Sequence, residues 1–186
     1  MRSSEADILI VPGWLNSGPD HWQTRWEAKL PTARRIVQDD WEKPEFNAWI
    51  SRIADEVARA ERPVVLVAHS LGAVATAHAG ALIEDRAPGK VKGAFLVAPA
   101  AASAIAGLAD VDPAFAVLPE RPLAFPALLI ASRDDPYAPF EESQRLSEAI
   151  GATLVDAGAS GHITDESGHG PWPEGLMRFA GFLKTL

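Results

Sequence analysis

The stretch VVLVAHSLGAVATAHAGALI, residues 64 to 83, decides how the whole chain is read. Val64 to Val67 is a short run of β-branched and leucyl residues, which predicts a buried strand. From Leu71 to Ile83 the chain is apolar nearly all round and dominated by Ala and Gly, which predicts a central helix pressed closely against a sheet. Ser70 falls on the turn between them, with Ala68 two residues before it and Gly72 two after. A nucleophile elbow has this layout: a tight strand-turn-helix raises the serine and drives the flanking Cβ positions against neighbouring elements, so only small residues fit there. Ala68 stands where the usual motif has glycine. The competing role for Ser70 is an ordinary N-cap of the helix that follows.

Working outward, five more short apolar runs alternate with longer segments of helical period. The strands are expected at Ile8–Val11, Arg34–Val37, Ala94–Val97, Ala127–Ala131 and Thr153–Val155, in addition to Val64–Val67. Helices are expected at Asp20–Leu30, striped by Trp22, Trp26 and Leu30, and at Glu45–Ala60, striped by Phe46, Ile50, Ile53 and Val57. Two more fit Glu142–Ile150 and Gly175–Leu186. Alternating βα units imply a parallel sheet of about six strands with helices on both faces, a three-layer α/β sandwich. Gly93 to Ala109 carries no charge, but Pro99 and Ser103 interrupt it, so it reads as a buried strand entering a loop rather than a membrane span. The segment 100–126 has no helical or strand period and contains four prolines; a connection of this length is expected to cover a pocket.

Length and composition agree with one domain over residues 1–186. Seventeen Lys and Arg against 25 Asp and Glu give a net charge of −8, which repels phosphate backbones and anionic lipid, so neither nucleic acid nor a membrane is expected as a partner. The absence of cysteine removes disulfides, thiolate metal sites and a cysteine nucleophile. No His-x-x-x-His spacing occurs, so no catalytic metal is expected. Nothing near Met1 reads as a signal-peptide core, and cytoplasmic residence is the expectation.

A serine needs a base, and the base needs an acid to hold its tautomer. Asp134 and Asp135 follow the strand Ala127–Ala131, and His162 and His169 follow the strand Thr153–Val155. This is the Ser, acid, His order of α/β-hydrolases, with all three groups on the carboxyl edge of a parallel sheet. Between the two carboxylates, the other is free to cap its loop; between the two histidines, His169 braces the loop or lines the pocket. His69, beside the serine, is expected to point away from the rim. Two backbone amides must face the developing oxyanion, and they are expected from Leu71 and, in the loop Pro12–Leu15 opened by Gly13, from Trp14. Trp22, Trp26 and Trp49 are expected to pack helices on the sheet, whereas Trp14 and Trp172 lie beside rim loops and are candidates for substrate contact, as is His169.

The strings PGW, HW, AHSLG, SRDDPYAPF, SGHI and SGHGPWPEG together resemble the small serine hydrolases related to the retinoblastoma-binding serine hydrolase, over nearly the whole chain. The resemblance implies a reduced α/β-hydrolase fold lacking a large lid, with Ser70, Asp135 and His162 matching the triad. It implies hydrolysis of small carboxylic esters or related acyl compounds without metal or cofactor. With only the segment 100–126 to shape a pocket, a small acyl substrate is expected rather than a long lipid or a folded protein. The alternative is a protein-binding module, its partner unknown, that keeps the hydrolase scaffold with Ser70 idle. A flavodoxin-like nucleotide-binding domain is weaker, because Pro12–Pro19 lacks a Gly-x-Gly-x-x-Gly fingerprint.

Overall fold

The computed structural model describes residues 1–186. Six strands form one sheet: β1 (Asp7–Val11), β2 (Ala33–Arg35), β3 (Val64–His69), β4 (Val91–Val97), β5 (Ala127–Ala131) and β6 (Thr153–Asp156). Every pairing is parallel, in the order β2-β1-β3-β4-β5-β6. The expected architecture is therefore present. The helices are α1 (Trp22–Lys29), α2 (Phe46–Arg59), α3 (Leu71–Arg86), α4 (Ala102–Ile105), α5 (Phe140–Ile150) and α6 (Pro173–Leu183). None is long and apolar enough to cross a membrane.

Side chains alternate across a strand, and here both faces are covered, so the strands read as continuous apolar runs. Leu9, Val11, Leu66, Ala68, Leu96 and Leu129 pack toward α2, α3 and α5, with Trp49, Ile53, Val57, Ile83 and Leu146. Ile8, Ile10, Val65, Val67, Phe95 and Ile130 face α1 and α6, with Trp22, Trp26, Phe179 and Phe182. Trp22, Trp26 and Trp49 thus do pack helices on the sheet.

The chain leaves β1 in one direction to make β2 and returns on the other side of β1 to make β3. Between β1 and β3 the outgoing loops diverge, and open α/β sheets bind ligands at such a switch point. Gln23 ties these two strands together at their carboxyl ends: its buried Nε2 donates to Val11 O and Val67 O, both at 3.2 Å.

Three expectations about the elements need correction. The edge strand is Ala33–Arg35 rather than residues 34–37, because Ile8 pairs with Ala33 and the chain has already turned outward at Val37, which is 64% exposed. α6 begins at Pro173, where proline suits a first turn, and ends at Leu183. The segment 100–126 is not structureless: it holds α4 and a 3-10 turn at Pro113–Ala116. It is also strapped down. Asp112 accepts from Ala114 N at 2.9 Å and from Phe46 N, the first residue of α2, at 3.1 Å, and Leu123 N donates to Ile150 O at 3.0 Å.

Candidate active site

Ser70 sits at φ 54°, ψ −126°, a backbone conformation that costs a non-glycine residue about 1–3 kcal/mol and persists only where the surroundings impose it. The surroundings are the loop after β1. A Cβ on Gly72 would stand 2.3 Å from Pro12 O and 2.4 Å from Val11 O, and a Cβ on Gly13 would stand 2.8 Å from Ser70 Cβ. The two glycines let the β1 loop and the elbow touch backbone to backbone. Leu71 opens α3, so its amide has no partner within the helix and faces outward beside the serine. In the facing loop, Leu15 N donates to Trp41 O and Asn16 N to Gly13 O, while the Trp14 amide takes no part in these turn bonds.

The serine hydroxyl meets His162. Ser70 Oγ lies 2.9 Å from His162 Nε2, and His162 Nδ1 lies 2.9 and 3.0 Å from the two carboxylate oxygens of Asp135. With Nδ1–H donating to Asp135, Nε2 is left to accept from the hydroxyl. The Asp135 side chain is 1% exposed and that of His162 is 12% exposed, so the chain of bonds runs from interior to cavity. Tyr137 N donates to Asp135 Oδ1 at 2.8 Å, and the Tyr137 ring stands edge-on to His162, 4.8 Å between centroids. Asp134 does something else: it accepts from Ser132 Oγ at 2.7 Å and from Gly161 N at 2.8 Å, bonds that hold its carboxyl below the usual carboxylate range and fasten the loop that carries His162.

Two further histidines stand behind His162; reading the sequence residue by residue missed His21 and misplaced His69. His69 is buried, and its Nε2–H donates to the backbone carbonyl of His162 at 2.9 Å. Its ring lies 4.8 Å from that of His162 and 4.8 Å from that of His21. The expectation that His69 points away from the rim is therefore wrong. His69 shares the face of Val65 and Val67, and strand alternation alone puts it beside Trp22 and under the β6 loop. Burial first, and then the neighbouring imidazoles, hold His69 well below the ordinary histidine value. Burial likewise pushes His21 down to about 4, although Asp165 opposes it. Both therefore stay neutral behind His162.

Ser70 opens into a cavity of about 520 Å³. Its wall includes Trp14, Leu71, Ala100, Ile105, Leu108 and Tyr137 together with the polar Asn16, His21, Thr164, Asp165, Glu166 and Ser167. Two sequence candidates are absent from this wall. Trp172 is buried among Trp22, Trp26, Phe95 and His169, with its ring laid on Gly175, because a left-handed backbone at φ 39° turns the indole under the sheet. His169 is bound to the loop itself, Nδ1 to Ser167 Oγ at 3.1 Å and N to Thr164 O at 2.8 Å. It braces the segment after His162. Among the titratable groups, no cluster of three or more could hold a metal ion.

Residues 8–181 match the model of a protein family described as serine hydrolase. This chain belongs to the serine hydrolase family. Its fold superimposes on a YdeN-like hydrolase from Pectobacterium atrosepticum with a TM-score of 0.82 at 33% identity, covering 98% of this chain and 93% of that one. The ydeN gene product of B. subtilis is 20% identical with a TM-score of 0.76, over 96% of this chain and 99% of that one. An esterase domain from Rhodothermus marinus shares the fold at 15% identity and a TM-score of 0.66, over 92% and 84% of the two chains. No curated protein matches the sequence. The serine hydrolase family and the hydrolase fold agree with the chemistry of a serine at the switch point of a parallel sheet.

Proposed function

We propose that this serine hydrolase cleaves small carboxylic esters through an acyl-enzyme, with Ser70 as nucleophile, His162 as base and Asp135 as the acid that holds it. The observation that carries the proposal is the unbroken bond path from Ser70 Oγ through His162 to the buried Asp135 carboxylate. His162 Nε2 takes the hydroxyl proton as Oγ attacks the carbonyl carbon. The carbonyl π pair moves onto oxygen, which turns toward the Trp14 and Leu71 amides, and Asp135 steadies the imidazolium. The tetrahedral centre then collapses. The bond to the leaving alkoxide breaks, His162 returns the proton to it, and an alcohol departs. Water repeats the sequence on the acyl-enzyme and releases a carboxylic acid and free Ser70. Because His21 and His69 stay neutral, no second cation opposes the imidazolium during either step. Activity is therefore expected to rise with pH, because general-base catalysis needs an unprotonated base.

Labelling by a fluorophosphonate probe tests this. The folded wild type should be labelled and should turn over p-nitrophenyl acetate, and Ser70→Ala should do neither. Labelling that persists in Ser70→Ala, or a folded wild type that the probe leaves untouched, removes Ser70 from the reaction.

A further inference from the structure

The tetrahedral centre on Ser70 has four substituents, and the site allots three of them. One is the serine oxygen. The oxyanion takes the Trp14 and Leu71 amides, and the leaving group must lie where His162 can protonate it. The acyl substituent is left the remaining direction, and the apolar side chains of the cavity lining, Ala100, Ala104, Ile105 and Leu108, are the ones that suit it. That wall is apolar, and Ala100, Ile105 and Leu108 pack with the core layer of α2 and α3.

Beside it is a second cavity of about 270 Å³, walled by Val74 of α3, Leu146 of α5, and Phe115, Ala116 and Leu118 of the segment that straps over them, with Glu142 and Arg145 of α5 also in its lining. Ala100 lines both cavities. Where the two meet, Ala100 presents nothing larger than a methyl group, and Ala101, Ala102 and Ala104 continue the partition with the same small side chain. The partition is anchored from outside, since Ala101 N donates to Tyr137 O at 3.0 Å and Ser103 Oγ to Glu142 Oε1 at 2.6 Å. A ribbon of alanines held in this way keeps space on both of its sides that larger residues would fill. Leu118, 46% exposed, leaves an apolar lip on the outer edge.

We infer that the second cavity receives the distal carbons of the acyl chain, so that the preferred substrates are esters of medium-chain carboxylic acids; this rests on Ser70 being the nucleophile. The chain passes from the ester carbon over Ala100 and lies along the hydrophobic side chains that make up most of the chamber wall, a gain that grows with each methylene buried.

The test is the kcat/KM profile of p-nitrophenyl acetate, butyrate, hexanoate and octanoate with wild type, Ala116→Phe and Leu118→Asp. Wild type should gain about fourfold per methylene from acetate to hexanoate. Ala116→Phe fills the chamber from the strap. Leu118→Asp sets a charge on an exposed lip, where it leaves the core undisturbed. Each should lower the octanoate-to-acetate ratio by about fifteenfold, the burial of two methylenes. A wild-type profile that is flat or falls from acetate onward overturns the inference, and so does a ratio that neither variant changes by more than about twofold, less than one methylene is worth. The two readings fail separately. If Ser70→Ala hydrolyses acetate as well as wild type does, the nucleophile is wrong; if only wild type hydrolyses it and chain length has no effect, the chamber alone is wrong.

Discussion

The elbow at Ser70 and the strap from Ala100 to Pro126 roof the same cavity and are built in opposite ways. The elbow is made of backbone against backbone: Gly72 under Pro12, Gly13 against Ser70, and the Gln23 amide pinning the ends of β1 and β3. The strap is made of short turns held at points: Asp112 on α2, Ser103 on α5, and Leu123 set on Gly80 of α3. A reaction centre tolerates displacements of a fraction of an ångström, whereas a pocket wall need only exclude water and have roughly the right shape. Rigid construction is spent where the hydroxyl must meet the imidazole, and point attachment suffices where a chain must be admitted.

Substitutions that separate the two regions sharpen this contrast. The largest effect belongs to Asp135→Asn, which keeps the packing but, with the amide oxygen held by Tyr137 N, turns an NH2 donor toward His162 Nδ1 and forces the wrong tautomer; kcat should fall by about 10⁴ with the melting temperature nearly unchanged. A drop below tenfold would remove Asp135 from the relay and leave the elbow side no more demanding than the strap. Next is Gly72→Ala. Its methyl group would meet two carbonyl oxygens of main chain, so about 3 kcal/mol or more of stability should go, with the probe reaction lost as well. A variant that melts like wild type would show the elbow to be as yielding as the strap.

Acid probes the elbow side again. His21 titrates at its ordinary 6.5 in the unfolded chain but at about 4 when folded, so the unfolded state takes up the proton first as pH falls. Stability should decline between these values and level off below them, by up to about 3 kcal/mol from His21, with His69 adding in the same direction. His21→Asn, which can keep the cap on Gln23 N, should make urea denaturation less sensitive to pH between 7 and 5; a sensitivity equal to wild type would exclude His21 as a source. The smallest effect belongs to the strap. Asp112→Ala removes one attachment and should cost about 1 kcal/mol, roughly 2–4 °C in melting temperature, with acetate turnover within about twofold of wild type. A loss of acetate turnover above tenfold would erase the distinction between the two regions.

The same contrast explains what the sequence disclosed. The elbow was legible because its requirements are compositional: a run of β-branched residues, a serine, and small residues at fixed offsets. The order of acid and base followed from the strands that carry them. The strap was illegible because α4 has four residues, too few to show a period, and because Asp112 works through a partner 66 residues away. Trp172 lies close in sequence to His162, but that closeness did not disclose the turn that sends it under the sheet. His69 was within reach of argument, since alternation along β3 places it with Val65 and Val67.

The backbone angle at Ser70 has a consequence for how the enzyme comes into being. No local preference favours φ 54° at a serine; only the docked β1 loop imposes it, so the turn cannot adopt its working shape before the first and third strands are side by side. During refolding, helix and sheet signals should therefore mature before the hydroxyl becomes reactive. A chain that has collapsed without completing its centre is chemically silent, and the onset of labelling marks the moment assembly finishes.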